Sequence, residues 1–143
     1  MLTNIAFIVP GEPQGKGRAR VGRVGSHARL FTPPKTAAYE NLVALAAQHA
    51  MGSGSPFSGP LAVEIEAVHT IPASWSKKRQ QEAIGKPCQS KPDLDNIIKA
   101  IGDGANGIVW VDDKQIVQIT AAKRYGARPE VRVRVATIWP SMV

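Results

Sequence analysis

The sequence predicts an α/β fold of the α+β type, a small mixed sheet of about four strands with two to three helices packed on it. Three observations lead there. Two segments, "LAVEIEAVHTI" (61–71) and "VRVRVATIW" (131–139), alternate apolar and polar residues as half-buried strands do. A third, "KTAAYENLVALAAQHAM" (35–51), places Tyr39, Leu42, Val43, Ala46 and Ala50 on one face at helical spacing. The chain has 143 residues and is 43% hydrophobic, which suits one domain with a real core and not a disordered chain. Residues 1–143 are therefore read as a single domain, without internal repeats.

In chain order, "NIAFIVPG" (4–11) reads as a strand stopped by Pro-Gly. Residues 11–34, rich in Gly, Pro and Arg, read as a long basic loop with room for a short hairpin. A loop of that length in a compact domain is commonly functional. The helix 35–51 follows, then a loop, "GSGSPFSGP" (52–60). The strand 61–71 turns Leu61, Val63, Ile65, Ala67, His69 and Ile71 one way and Glu64 and Glu66 the other, and Pro72 ends it. "SWSKKRQQEAI" (74–84) is a short polar helix with Ser74 or Ser76 as cap and Gly85 as stop. "DNIIKAIGDGAN" (95–106) starts as a helix with Asp95 at the N-cap; Gly102 and Gly104 weaken its second half. Asn106-Gly107 is a turn. "KQIVQITAAKRY" (114–125) reads as a strand, and its short connection to 131–139 predicts an antiparallel hairpin.

Charge narrows the function. Eighteen Lys and Arg against 11 Asp and Glu give a formal +7, which favours a polyanionic partner such as nucleic acid. No apolar run approaches the roughly 18 residues of a membrane span. The start, "MLTNIAFIVPGEP", lacks the charged and apolar regions of a signal peptide. The single cysteine, Cys88, excludes an internal disulfide and a Cys-rich zinc site, and fits a reducing cytoplasm.

The charges are also segregated. Lys16, Arg18, Arg20, Arg23, Arg29 and Lys35 face Glu12 alone in residues 1–35, whereas all five aspartates fall within 93–113. Lys16, Arg18, Arg20, Arg23, Lys35 and Lys91 are the expected DNA contacts. Plainer roles suit other residues. Lys77, Lys78 and Arg79 read as solvated, Arg132 and Arg134 as the exposed face of a strand, and His69 as a hydrogen-bonded core residue. Trp75, Trp110 and Trp139 read as core or interface packing, and Cys88 as inert.

The aspartates carry the chemistry. If 93–95 is extended, Asp93 and Asp95 project from the same side, with Lys99 one helical turn beyond Asp95. Of the adjacent Asp112 and Asp113, only one can face the same point. Two carboxylates about 4 Å apart repel by roughly 1–4 kcal/mol at effective dielectrics of about 80 to 20. A cation between them, or a proton on one, relieves this. Mg²⁺ takes such oxygen ligands while keeping several waters. In a basic protein that combination points to phosphodiester hydrolysis, with Lys99 stabilising developing charge or orienting the water. The plain alternative makes Asp95 a helix cap, Lys99 a surface lysine paired with Asp95 or Asp103, and the Asp112-Asp113 pair a turn.

The segment "KPDLDNIIKAIGDGANGIVWVDDKQIV" (91–117) resembles the signature of the RusA family of Holliday junction resolvases, common in prophages. It shares Asp-x-Asp-Asn-x-x-Lys, then Trp-x-Asp-Asp-x-Gln-Ile. "FIVPGEPQGKGRAR", "FTPPKTAAYENLV" and "IPASWSKKRQQEAIG" extend the resemblance over nearly the whole chain. It implies a homodimer that nicks four-way DNA junctions in recombination and repair, with Mg²⁺, or Mn²⁺ in its place. By position it makes Asp93, Asp95 and Asp113 the essential, metal-binding carboxylates, Lys99 the essential lysine and Asn96 the family asparagine. The role of Asp112 stays open. "DGANG" (103–107) departs from the family's usual Asp-Ala-Leu-Asn-Gly; Gly104 is expected to loosen that turn and Ala105 to remove an apolar contact. Two other functions fit the residues, a nuclease for flaps or forks and a non-catalytic nucleic-acid-binding domain.

Overall fold

Val9, Leu61, Val131 and Val133 are fully buried, on three neighbouring strands of one sheet. The computed structural model describes residues 3–139. Residues 1–2 and 140–143, the ends of the expected domain, lie outside the described residues. The elements are β1 (Asn4–Pro10), β2 (Arg20–Val24), β3 (His27–Phe31), α1 (Pro34–Met51), β4 (Leu61–Thr70), α2 (Lys77–Ala83), α3 (Leu94–Ala105), β5 (Ile116–Gly126) and β6 (Glu130–Thr137). Four strands form a mixed sheet in the order β1-β6-β4-β5, and β2 and β3 form a separate two-stranded ribbon. The fold is thus α+β, with the ribbon inside the stretch read as a basic loop. Among the described residues no helix is long and apolar enough to cross a membrane.

The period-two segments bury one face each. Ile5, Phe7 and Val9 of β1, Leu61, Val63, Ile65 and Ala67 of β4, and Val131, Val133 and Val135 of β6 share one core. Against it pack Tyr39, Val43, Ala47 and Met51 of α1 and Ile97, Ala100, Ile101 and Ala105 of α3. Trp110, from the connection after α3, is the largest fully buried side chain. Glu64, Glu66, Arg132 and Arg134 stay outside, whereas Glu130 at the start of β6 is buried; Arg132 reaches Glu130 at 2.6 Å and Glu66 at 3.5 Å.

Two expectations are corrected. The last two strands do not pair with each other: β4 lies between them, parallel to β5 and antiparallel to β6. The cause is burial. Strand β4 is the most buried and takes a neighbour on each side, whereas β5 is exposed along Val117–Thr120 and suits an edge. The connection 127–129 need span only about 10 Å, two strand spacings, within reach of three residues. Gly104, expected to loosen a turn, lies inside α3 where α1 passes closest. A Cβ there would sit 2.6 Å from Val43 Cβ and 3.0 Å from the Glu40 carbonyl oxygen. Ala105 beside it is fully buried.

The aromatic residues divide. Trp75 is half-buried, edge-on to Tyr125 at 5.5 Å, with the Arg79 guanidinium 3.6 Å over its ring. Trp139, read as packing, is 66% exposed. His69 is buried, as expected, but its Nε2 has no hydrogen-bond partner among the described residues. Burial, and then the positive charge of Lys123, lower its pKa below 6.5.

Gly104→Val is expected to destabilise the fold by about 2–3 kcal/mol, read by urea denaturation, because neither Val43 nor the α1 backbone can withdraw. The His69 shift also sets a pH dependence. Between its lowered folded pKa and the ordinary value of 6.5, the unfolded chain holds a proton that the folded chain does not. Stability therefore falls as pH drops through that window, and denaturation of His69→Gln should show a shallower fall.

Candidate active site

Helix α3 begins earlier than its sequence suggests. Asp93 is the N-cap, with φ −64° and ψ 146°, and Asp95 lies in the first turn. The Asp93 carbonyl accepts from the Asn96 and Ile97 amides at 3.1 Å each, so Leu94 is already helical. The extended run expected over 93–95 is therefore absent, and Asp95 is not the cap. The Asp93 side chain makes no capping hydrogen bond, and both carboxylates are exposed.

Two grooves flank α3. The first, about 540 Å³, is lined by Lys16, Arg18, Arg20, Lys35 and Lys91 together with Asp93 and Asn96. Five of the six cations expected to contact DNA thus come together beside the helix N-terminus, while Arg23 stands farther out on β2. The second groove, about 530 Å³, carries Lys99, Asp103 and Asp113 over Ile98, Ile116 and Ile119. Asp95 lines neither groove, but one helical turn before Lys99 it shares that residue's face. Lys99 forms no ion pair among the described residues; the salt bridge to Asp95 or Asp103 in the plain reading is not made.

Lys16 lines both grooves and binds their walls. Its Nζ lies 2.6 Å from Glu40 Oε2 on α1 and 3.0 Å from Asp103 Oδ2 on α3. Its amide donates to the Asn96 carbonyl at 3.0 Å. The hydrogen bond to Glu40 is the main cause of its raised pKa. Lys16 is therefore a brace whose charge is already matched, in place of the free phosphate contact expected of it. Its flanking glycines permit the approach: a Cβ at Gly15 would lie 3.0 Å from Pro92 Cβ, and one at Gly17 2.6 Å from Thr36 Oγ1. Sequence reasoning gave Glu40 no role and Asp103 only that of an alternative partner for Lys99. The spacing Asp95, Lys99, Asp103 along one helical stripe was the available signal for Asp103. Nothing local marked Glu40.

The Trp-x-Asp-Asp-x-Gln segment resolves into separate tasks. The buried Trp110 donates from Nε1 to Asp113 Oδ1 at 2.8 Å, which fixes that carboxylate at the mouth of the second groove. Asp112 caps a single 3₁₀ turn by accepting from the Lys114 amide at 2.9 Å. Gln115 Oε1 accepts from the Val111 and Asp112 amides, and its Nε2 donates to the Phe57 and Gly59 carbonyls at 2.7 and 3.1 Å. Asp112 is thus structural, and Asp113 faces the groove.

Among the described residues no three His, Cys, Asp or Glu side chains gather closely enough to hold a metal ion. Asp93, Asp95 and Asp113 do not form one pocket within a single chain. Their chemistry still fits a hard cation: all three are exposed oxygen donors, and Asp113 keeps one oxygen clear of Trp110. Mg²⁺ commonly binds through one or two carboxylates completed by water and substrate phosphate.

A cationic groove thus meets a carboxylate–lysine groove on an α+β sheet. Residues 10–136 match the family model Endodeoxyribonuclease RusA, and the chain belongs to that family. It is also similar to the uncharacterized protein YqaN of Bacillus subtilis (strain 168), at 29% identity over 140 residues, covering 94% of this chain and 96% of that protein.

Trp110→Phe keeps most of the core filled and removes the hydrogen bond to Asp113. It is expected to cost about 1–2 kcal/mol of stability and to reduce nicking about tenfold, read by denaturation and by gel assay.

Proposed function

We propose that this endodeoxyribonuclease resolves four-way DNA junctions in recombination and repair by Mg²⁺-dependent phosphodiester hydrolysis, with Mn²⁺ as a substitute. The observation that carries the reading is the meeting of the two grooves at Lys16, one cationic and ending at Asp93 and Asn96, the other holding Lys99 and Asp113. Arg18, Arg20, Lys35 and Lys91 hold the phosphate backbone. Asn96 orients the strand at the end of that groove. The Lys99 ammonium, unpaired among the described residues, stabilises negative charge on the scissile phosphate. The oxygen of Asp113 not held by Trp110 accepts a hydrogen bond from the attacking water. Mg²⁺ would bind through one or two of Asp93, Asp95 and Asp113, completed by water and the substrate phosphate, and would supply charge neutralisation at the phosphate and a more acidic water. Two copies in an isologous homodimer would place two sites on the two-fold-like junction. The setting of this reading is the cytoplasm.

The test is nicking of a synthetic junction. Asp93→Asn, Asp95→Asn, Asp113→Asn and Lys99→Met are each expected to lower the rate about 100-fold or more, with junction binding retained. EDTA should stop cutting, and Mn²⁺ should restore it. Undiminished cutting by Asp95→Asn, or cutting in EDTA, overturns the mechanism. Faster cleavage of flaps or forks than of four-way junctions would move the substrate to those structures. Salt-sensitive binding with no cleavage under any metal would leave a binding domain.

A further inference from the structure

The ribbon β2–β3 is the part of the molecule that the sheet and core do not use. Its strands pair only with each other, and every residue of β3 is exposed. Such a ribbon is marginal in water by itself. Between Glu12 and Glu40 the chain holds no acidic residue, and the ribbon carries Arg20, Arg23 and Arg29. A two-residue turn with Gly25 at φ 63° closes it.

The register sorts its side chains. Val21 stands opposite Leu30 and Arg23 opposite Ala28, so one face is apolar except for a single arginine. Val21 is 70% exposed and Leu30 68%. On the other face Phe31 folds back over Gly22, with its Cε1 3.0 Å from where a Gly22 Cβ would stand. That face's aromatic group is thus partly used within the ribbon, while the Val21–Leu30 pair is left open. Arg20 belongs both to the ribbon and to the cationic groove that ends at Asp93.

We infer that the ribbon is a major-groove element for a duplex arm of the DNA substrate. Val21, Ala28 and Leu30 face the base pairs, where thymine methyl groups offer apolar contact. Arg23, on that same face, lies among the base edges, while Arg20 and Arg29, from the opposite face, bend around the ribbon's two edges to the phosphates of the groove walls. The dimensions agree: a five-residue strand spans about 17 Å, and a groove about 12 Å wide admits a two-stranded ribbon. Charge complementarity selects a polyanion as occupant. The shared Arg20 makes the ribbon continuous with the groove, so a duplex held by the ribbon leads to Asp93 and Asn96. The inference rests on the nuclease reading and adds how the duplex is gripped.

The experiment is binding of a fluorescent four-way junction by the full chain in EDTA, across a salt series, with cleavage in Mg²⁺ measured alongside. Val21→Ser combined with Leu30→Ser is expected to weaken binding about tenfold or more at an unchanged salt slope. Arg29→Ala should reduce the log–log salt slope by about 0.9, and Arg29→Lys should keep it. Replacing thymine by uracil in the arms should weaken wild-type binding and leave the double serine variant unaffected. Melting temperatures should stay at the wild-type value, because the ribbon lies outside the core. If the wild type cuts the junction while all these variants bind as it does, the ribbon inference falls alone. If the serine variant turns a dimer into a monomer in sedimentation, the ribbon's partner is a second copy of the chain, and the inference falls. If the wild type neither binds nor cuts the junction, the nuclease reading fails and this one falls with it.

Discussion

The double ion pair of Lys16 organises the functional face. One ammonium joins the arm after β1 to Glu40 on α1 and to Asp103 on α3. Partly exposed pairs such as these contribute about 1 kcal/mol or less each, so their importance is positional. They fix where the arm crosses the two helices, and hence where the cationic groove ends and the carboxylate–lysine groove begins. Gly15 and Gly17 bring the backbone close enough for the reach. The close α1–α3 approach at Gly104 brings Glu40 and Asp103 within range of one lysine.

Helix α3 then acts as a partition. Its N-terminal end gives Asp93 and Asn96 to one groove, and its middle gives Lys99 and Asp103 to the other. Its apolar stripe of Ile97, Ala100 and Ile101 anchors it in the core, so polar residues on either side of that stripe fall to different grooves. The turn before β5 answers from across the second groove. There the core residue Trp110 aims Asp113, and Gln115 ties the turn to the 57–59 loop. A carboxylate presented to solvent is thus held by a side chain that is itself fully buried. This gives the site rigidity that a loop aspartate lacks.

The sheet sets the rest. Strand β4 lies between β5 and β6 because it is the most buried, and that leaves β5 at the edge beside the second groove. The ribbon is tethered to the same arm that Lys16 pins. The braced grooves and the separate cationic ribbon are thus two distinct parts of one face, joined by the arm that Lys16 pins.

The sequence by itself determined most of the elements and named the candidate functional residues. Period-two and helical patterns located β1, β4, β6 and α1 because each buries one face, and burial leaves a periodic trace. The same held for Ser76 as the α2 cap and for the cations gathered in the first groove. The tertiary structure alone decided three matters. Strand neighbours depended on competition between strands for the central place, which the short 126–130 connection did not reveal. The state of Lys16 depended on Glu40 and Asp103, 24 and 87 positions away in the chain, a distance at which local patterns are silent. The directions of Asp93 and Asp95 depended on which of the two caps the helix, a difference of two residues in where it begins. Spacing in sequence names candidate groups; where they point is set by how the elements carrying them pack.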